Sequence, residues 1–202
     1  MMSIEQTFGF KPYLAIPTGI NGIVHFECMF GGIDCFREFG VAPNIRRGQH
    51  IEESRDVLAA QFLSSDSSHM LLVSPEIGWR ATHVRQLLEA EKDVVSGTYH
   101  PSDGRVVACI EDPEPHSQGQ IVRCSVIPAE FLLVTRKAIL QLMWESPNAH
   151  YVVPDVGRVH ALWTSTVMGQ RDEQAFSARC RAAGLTIWMH TGVVLSQPLA
   201  AG

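Results

Sequence analysis

The chain has 202 residues, of which 46% are hydrophobic and 18% are charged. This length and composition predict one folded domain over residues 1–202 and exclude a disordered chain. The formal charge of -5 supplies no basic field, so we expect no nucleic-acid partner.

The cysteines and the first residues of the chain bear on its compartment. The five cysteines are an odd number without a Cys-x-x-Cys pair, which is typical of reduced, buried thiols rather than disulfides or zinc ligands. The first residues lack the basic segment and apolar core of a signal peptide, and no apolar run is long enough to span a bilayer. We therefore expect a cytoplasmic protein with no membrane span.

In the first half of the chain, apolar runs alternate with amphipathic stretches. Tyr13–Pro17 predicts a buried strand, and 24–40 has apolar spacing compatible with a helix in spite of Gly31 and Gly32. The basic stretch NIRRGQH is interpreted as a solvated turn. The next predicted elements are a helix over 55–63, a strand over 69–73, a helix capped by Thr82, and a strand ending at Gly97.

The second half predicts looser, β-rich structure. Its predicted elements are a loop or hairpin over 100–119, one or two strands over 120–136, a helix over 137–144, short strands in loops over 148–168, a helix over 172–183 and a closing strand over 185–189. Strand–helix alternation followed by this part predicts an α/β sandwich with a mostly parallel central sheet flanked by helices.

Several segments in a fixed order carry a family resemblance. They are IPT after the first strand, ESRDVLAAQFL, HMLLV with a three-residue motif and IGW after it, KDVVSGTYHP, EFLLVTRKAI, and RDEQAFSARCRAAGLTIWM. Their order and spacing resemble the nucleotide-sugar-dependent glycosyltransferases of the GT-A fold, especially the small single-domain type of bacteria and large viruses. The resemblance implies transfer of a sugar, of the hexosyl class, from a nucleoside diphosphate to an unidentified glycan, protein or small-molecule acceptor.

The family's Asp-x-Asp motif follows the strand that here ends at Val73, and Ser74-Pro75-Glu76 stands in its place. In the family the last carboxylate binds a divalent metal, which neutralises the leaving diphosphate. Because hard oxygen ligands suit Mg²⁺ or Mn²⁺, the resemblance implies Glu76 as a metal ligand in a degenerate motif. The family's C-terminal His would fall near 196–198, where no His stands, and His190, a few residues earlier, is a candidate ligand only if the loop between them is rebuilt. It is also interpretable as a solvent-facing or structurally bonded histidine.

A second acidic motif, Arg171-Asp172-Glu173, matches Ser-Glu-Asp of the family when Phe176 is the anchor. In inverting members the last carboxylate accepts the proton of the acceptor hydroxyl, so the resemblance makes Glu173 the candidate general base. Asp172 would contact the acceptor or cap the helix. A purely structural role stays open for both residues, because the macrodipole favours acidic residues in the first turn of any helix.

The resemblance also assigns the two sides of the cleft. The expected donor-side residues are Pro17, Thr18, Arg55, Ser74 and Glu76, and the expected acceptor-side residues are Tyr99, His100 and Glu130. Arg55 stands where the family has an arginine that reaches the nucleotide, although it is also interpretable as a surface arginine paired with Glu52. Glu130 belongs to Pro128-Ala129-Glu130, which replaces a glycine-containing Gly-Thr-Gly.

Two hypotheses follow from these matches and departures. The first is a glycosyltransferase whose metal dependence is weakened or replaced. The second is a catalytically degenerate GT-A-fold binding or partner module, motivated by the loss of the first Asp, the glycines and the C-terminal His. Basic side chains can neutralise a diphosphate without a metal, so the departures alone do not decide between them.

Overall fold

The fold is described from a computed structural model that covers residues 11–99, 108–111, 117, 119–165 and 171–195. In chain order its elements are β1 (Pro12–Thr18), α1 (Phe26–Phe39), β2 (Asn44–Arg47), α2 (Ile51–Ser64), β3 (His69–Val73), α3 (Ala81–Glu89), β4 (Val94–Tyr99), β5 (Cys109–Ile110), β6 (Ile121–Val126), β7 (Phe131–Thr135), α4 (Arg136–Glu145), β8 (His150–Val153), β9 (Gly157–His160), α5 (Asp172–Ala182) and β10 (Ile187–Leu195).

Eight of these strands form one sheet in the order β2-β1-β3-β7-β4-β10-β6-β5, and β8 and β9 form a separate hairpin. β1 runs parallel to β2 and β3, and β4 runs parallel to β10. β7 is antiparallel to β3 and β4, and β6 is antiparallel to β10 and β5. Six of the eight strands therefore point the same way, which confirms the predicted α/β class with a mostly parallel central sheet.

Helices cover both faces of this sheet. Successive side chains of a strand point to opposite faces, so β1 contributes to two separate cores. Tyr13 and Ala15 pack with residues of α2, α4 and α5, whereas Leu14 and Ile16 pack with residues of α1 and α3. With both faces buried, a ligand site can open only where the strands end.

Three sequence predictions differ from the structure. The NIRR segment is the edge strand β2 rather than a solvated turn, and Nη2 of its Arg46 donates to both carboxylate oxygens of Asp155 at 2.7 and 2.9 Å. α3 begins at Ala81 instead of being capped by Thr82, because the Asp34 carboxylate of α1 accepts from the Ala81 N–H at 2.8 Å. β4 continues through Gly97 to Tyr99, paired with β10.

The structure also bears on the predicted lack of a membrane span and on the predicted state of the cysteines. Among the described residues, no helix has the length and apolarity needed to cross a bilayer. All five cysteines are free thiols, and four of them are buried while Cys109 is exposed. The expectation of unpaired, buried cysteines therefore holds for four of the five.

Candidate functional site

The sheet has a topological switch point between β1 and β3. The connection that leaves β1 passes through α1 to β2 on one side, whereas the connection that leaves β3 passes through α3 to β4 on the other side. The two connections diverge at the carboxyl ends of these strands, which leaves a crevice between them. Ligands of open α/β sheets bind in such crevices.

A pocket of about 680 Å³ occupies this crevice, and we call it the switch-point pocket. Its wall consists of the loop after β1 (residues 19–23 and His25), the start of α2 (Gln49, His50, Ile51 and Glu52), and Pro75 and Glu76 after β3. The volume lies within the range of small-molecule sites. Its lining combines isoleucines with histidine, carboxylate and amide groups, which suits a ligand with both apolar and polar parts.

Pro17 and Thr18, expected on the donor side, form the end of β1 beneath this pocket, and the lining begins at Gly19. Thr18 is 1% exposed, its hydroxyl donates to the Arg46 carbonyl at 3.1 Å, and its own carbonyl accepts from the Ser54 hydroxyl at 2.9 Å. These contacts join β1, β2 and the first turn of α2. Thr18 therefore fixes the relative position of the two segments that form the pocket wall.

Ser74-Pro75-Glu76 forms the turn after β3 and part of the pocket wall. The Ser74 N–H donates to the Glu130 carbonyl at 2.7 Å, and the Pro75 carbonyl accepts from the His25 N–H at 2.8 Å. Ser74 and Pro75 are buried, whereas Glu76 is exposed and lines the pocket. Within the triplet, Glu76 thus presents the only carboxylate at the pocket.

Arg55 lies in the first turns of α2 and is 3% exposed. Its guanidinium forms an ion pair with the carboxylate of Asp172 at the start of α5. The interpretation of Arg55 as a surface arginine paired with Glu52 is therefore wrong, because the side chain is buried and its ion-pair partner is Asp172. The structure also gives Asp172 a partner that the sequence did not predict.

Burial lowers the pKa of Arg55, and the negative charges of Glu173, Glu130, Glu52 and Asp56 act in the opposite direction. Carboxylates from α2, α5 and the segment before β7 therefore lie around the buried guanidinium of Arg55. We call Arg55, Glu130, Asp172 and Glu173 the acid–arginine cluster. None of these four residues lines the switch-point pocket, but Glu52, whose charge acts on Arg55, does.

Asp56 is a buried carboxylate next to Arg55 whose structural role the sequence did not predict. Its carboxylate accepts from the backbone N–H groups of Leu162 and Trp163 at 2.8 Å and from the Tyr151 hydroxyl at 3.1 Å. Burial raises its pKa, and hydrogen bonds from Thr164, Trp163 and Leu162 lower it. The contacts fix residues 162–164, which precede α5 in the chain. An aspartate next to an arginine in a helix gives no sequence signal of such a role.

The remaining predicted residues are not all brought to the pocket. Tyr99 is buried at the end of β4, and His100 lies outside the described residues. His190 lies within β10, where its Nδ1 accepts from the Gly192 N–H at 3.1 Å and burial lowers its pKa. In the part of the chain that the structure describes, no group of three His, Cys, Asp or Glu side chains could hold a metal ion, so Glu76 and His190 belong to no metal cluster there.

Comparisons with known proteins address the fold. No protein-family model and no curated protein matches the sequence. Among solved structures, protein A197 from STIV is similar with a TM-score of 0.62 and 13% identity, over 94% of this chain and 86% of that one. The structure of GalNAc-T7 with UDP, GalNAc and Mn²⁺ is similar with a TM-score of 0.55 and 7% identity, over 93% of this chain but 44% of that one.

A third similar structure is the inositol-1-phosphate CTP transferase from T. maritima, with a TM-score of 0.52 and 9% identity, over 91% of this chain and 86% of that one. At such identities the likeness concerns the fold. The chain therefore has the GT-A-like α/β fold that the order of its sequence motifs predicted, a fold that sugar transferases and nucleotidyltransferases share.

Proposed function

We propose that the chain is a glycosyltransferase that moves a sugar from a nucleoside-diphosphate donor to an acceptor. The observation that carries the proposal is the switch-point pocket at the carboxyl ends of β1 and β3, whose lining residue Glu52 interacts with Arg55 of the acid–arginine cluster. The GT-A-like fold and the ordered motifs support the same function.

In this proposal the nucleoside diphosphate binds in the switch-point pocket. The N-terminal end of α2 lines this pocket and its dipole favours an anion, whereas the charge of Glu52 in the same turn opposes one. His25 and His50 also line the wall. The Arg47 side chain passes beside Gly22 of the lining, since its Cδ is 3.3 Å from where a Cβ on Gly22 would stand. These groups surround the diphosphate, and Glu76 lies at its edge.

A divalent cation does not have a preformed protein site among the described residues. Mg²⁺ in nucleotide enzymes is commonly held by substrate phosphates and only one or two carboxylates, so Glu76 would be the one ligand of this chain to a cation that arrives with the donor. Such a cation would supply positive charge to the leaving diphosphate.

Glu173 is proposed as the general base. It lies in the first turn of α5 beside the buried Arg55, and its side chain is half-buried. In the proposed reaction the acceptor hydroxyl loses its proton to Glu173 as its oxygen bonds to the anomeric carbon. The bond from that carbon to the diphosphate oxygen breaks, and the nucleoside diphosphate leaves with the electron pair.

The test compares Glu173→Gln with Glu76→Gln, and with Glu145→Gln as a matched control at the exposed end of α4. Binding of UDP, GDP and their sugars is measured by calorimetry with and without Mn²⁺, and turnover is measured by donor hydrolysis and transfer. For Glu173→Gln we expect unchanged donor affinity and turnover lower by roughly 10²–10⁴-fold, the usual contribution of a general base. For Glu76→Gln we expect weaker donor binding only when Mn²⁺ is present. Turnover by Glu173→Gln at the wild-type rate would contradict the assignment.

A second candidate function is a non-catalytic binding or partner module with the same fold. It is supported by the engagement of Arg55 with Asp172 and by the lack of a three-ligand metal cluster among the described residues. The same calorimetry separates the two candidates. A chain that binds no nucleotide or nucleotide sugar of the panel, with or without Mn²⁺, would be such a module.

A further inference from the structure

The outer face of α1 and the loop before it expose large apolar side chains. Six of them are between 47% and 70% exposed, namely Ile20, Ile23, Phe26, Phe30, Ile33 and Phe36. We call this set the α1 ridge. Single exposed apolar residues are common, but a contiguous apolar patch of this kind marks an interaction surface.

The α1 ridge is ordered along the helix. Phe26, Phe30 and Ile33 follow the i, i+4, i+7 spacing of one helix face, and the rings of Phe26 and Phe30 make an edge-to-face contact with centroids 6.0 Å apart. A groove of about 620 Å³ runs beside them between α1 and the start of α3, and Val194 of β10 is part of its wall. The opposite face of α1, with Cys28, Gly31, Gly32 and Cys35, is buried against the domain.

We infer that the α1 ridge is the contact face of a homodimer in which the α1 helices of two copies pack antiparallel. The charges on α1 support a second copy as the occupant. Glu27 lies in its first turn and Arg37 in its last turn, on either side of Phe30 and Ile33. An antiparallel pair brings Glu27 of each copy to Arg37 of the other, so the face is complementary to itself, as a two-fold interface requires.

The area and the composition of the ridge agree with this occupant. At roughly 150–250 Å² for a whole aromatic side chain, and somewhat less for an isoleucine, the six residues expose on the order of 600 Å² per copy. Complete coverage of all six in both copies would bury about 1,200 Å², the lower limit for a stable interface. A helix that lies on a membrane usually carries Lys or Arg along its polar face. The charged residues of α1 are three acidic ones, Glu27, Asp34 and Glu38, and one basic one, Arg37, which favours a protein partner over a membrane.

The experiment is sedimentation velocity of the full chain over a range of concentrations, with circular dichroism to show that each variant is folded. We expect Glu27→Arg and Arg37→Glu each to raise the dimer dissociation constant at least tenfold, because each places like charges in both contacts of the homodimer. An equimolar mixture of the two variants should associate like the wild type, since both contacts in the mixed dimer again pair opposite charges. Phe30→Asp should be monomeric.

The experiment measures association and not catalysis, so its outcome is independent of the proposed enzymatic function. Ile20 and Ile23 of the ridge also line the switch-point pocket, and the partner copy would therefore border that pocket. A wild-type chain that remains monomeric at about 100 µM, above the dissociation constants of stable complexes, would overturn it. A mixture that associates no better than either variant alone would also overturn it, because charge pairing between two α1 helices would then be absent. Binding of a monomeric wild type to anionic vesicles would assign the ridge to a membrane instead.

Discussion

Replacement of Arg55 by methionine tests whether the acid–arginine cluster stabilises the fold. The methionine keeps most of the apolar volume but leaves Asp172, whose side chain is 17% exposed, and the neighbouring carboxylates without their cation. Removing one partner of a buried ion pair costs about 3–5 kcal/mol, and the remaining hydration of Asp172 places the expected loss near the lower limit. With a urea m-value of about 2 kcal/mol/M, the unfolding midpoint should fall by about 1.5 M.

The assay is urea unfolding of the wild type, Arg55→Met, Asp172→Asn and the double variant at pH 7. We expect a coupling free energy of about 1–3 kcal/mol between the two positions, because they contact each other directly. Arg158→Met is the matched control, since Arg158 is exposed and lies on the hairpin strand β9. A change below about 0.5 kcal/mol for Arg55→Met, the usual size for a surface substitution, would refute the description of Arg55 as a buried ion-pair partner.

Two further predictions concern α1 and the cysteines. A Cβ on Gly31 would collide with the ring of Trp79, so Gly31→Ala should lower the free energy of unfolding by about 1–3 kcal/mol. A Cβ on Gly32 would meet its nearest atom, in Pro43, at 3.7 Å, so Gly32→Ala should raise the free energy of unfolding by about 0.5–1 kcal/mol. Thermal or urea unfolding measures both changes. Burial raises the pKa of Cys28 to about 11 and those of Cys35, Cys124 and Cys180 to about 12. At pH 8 iodoacetamide should therefore alkylate Cys109 alone in the native chain, and mass spectrometry showing equally fast alkylation of a buried thiol would contradict this.

Local sequence patterns predicted most elements because buried strands and amphipathic helices have different periodicities. β3 has the predicted bounds, since four of its five residues are apolar and buried and the strand ends at a Ser-Pro turn. β2 (Asn44–Arg47) was not predicted because three of its four residues are polar and none is buried. Its pairing with β1 is also not a local property of the sequence. The start of α3 was missed for the same reason, since Asp34 comes from a different helix.

The prediction of the candidate site depended on the family resemblance rather than on local sequence patterns. Spacing alone gives no reason for Arg55 of α2 to contact Asp172 of α5, and the structure brings these two together with Glu130 and Glu173. The resemblance assigned these four residues to the candidate site, but it did not predict the contact between Arg55 and Asp172. That contact depends on how α2 and α5 pack against the same face of the sheet, which no short segment encodes.

The ion pair of Arg55 changes how the charge of a bound diphosphate could be neutralised. Asp172 already binds this guanidinium, and several other carboxylates lie close to it. Arg55 is not among the residues that line the pocket, and contact with a phosphate would compete with its ion pair to the largely buried Asp172. In the proposed reaction the groups nearest a bound diphosphate would be Arg47, beside Gly22, and the rings of His25 and His50, which can donate hydrogen bonds. Arg55 would then act through the position of α5, and its loss should change turnover more than donor affinity.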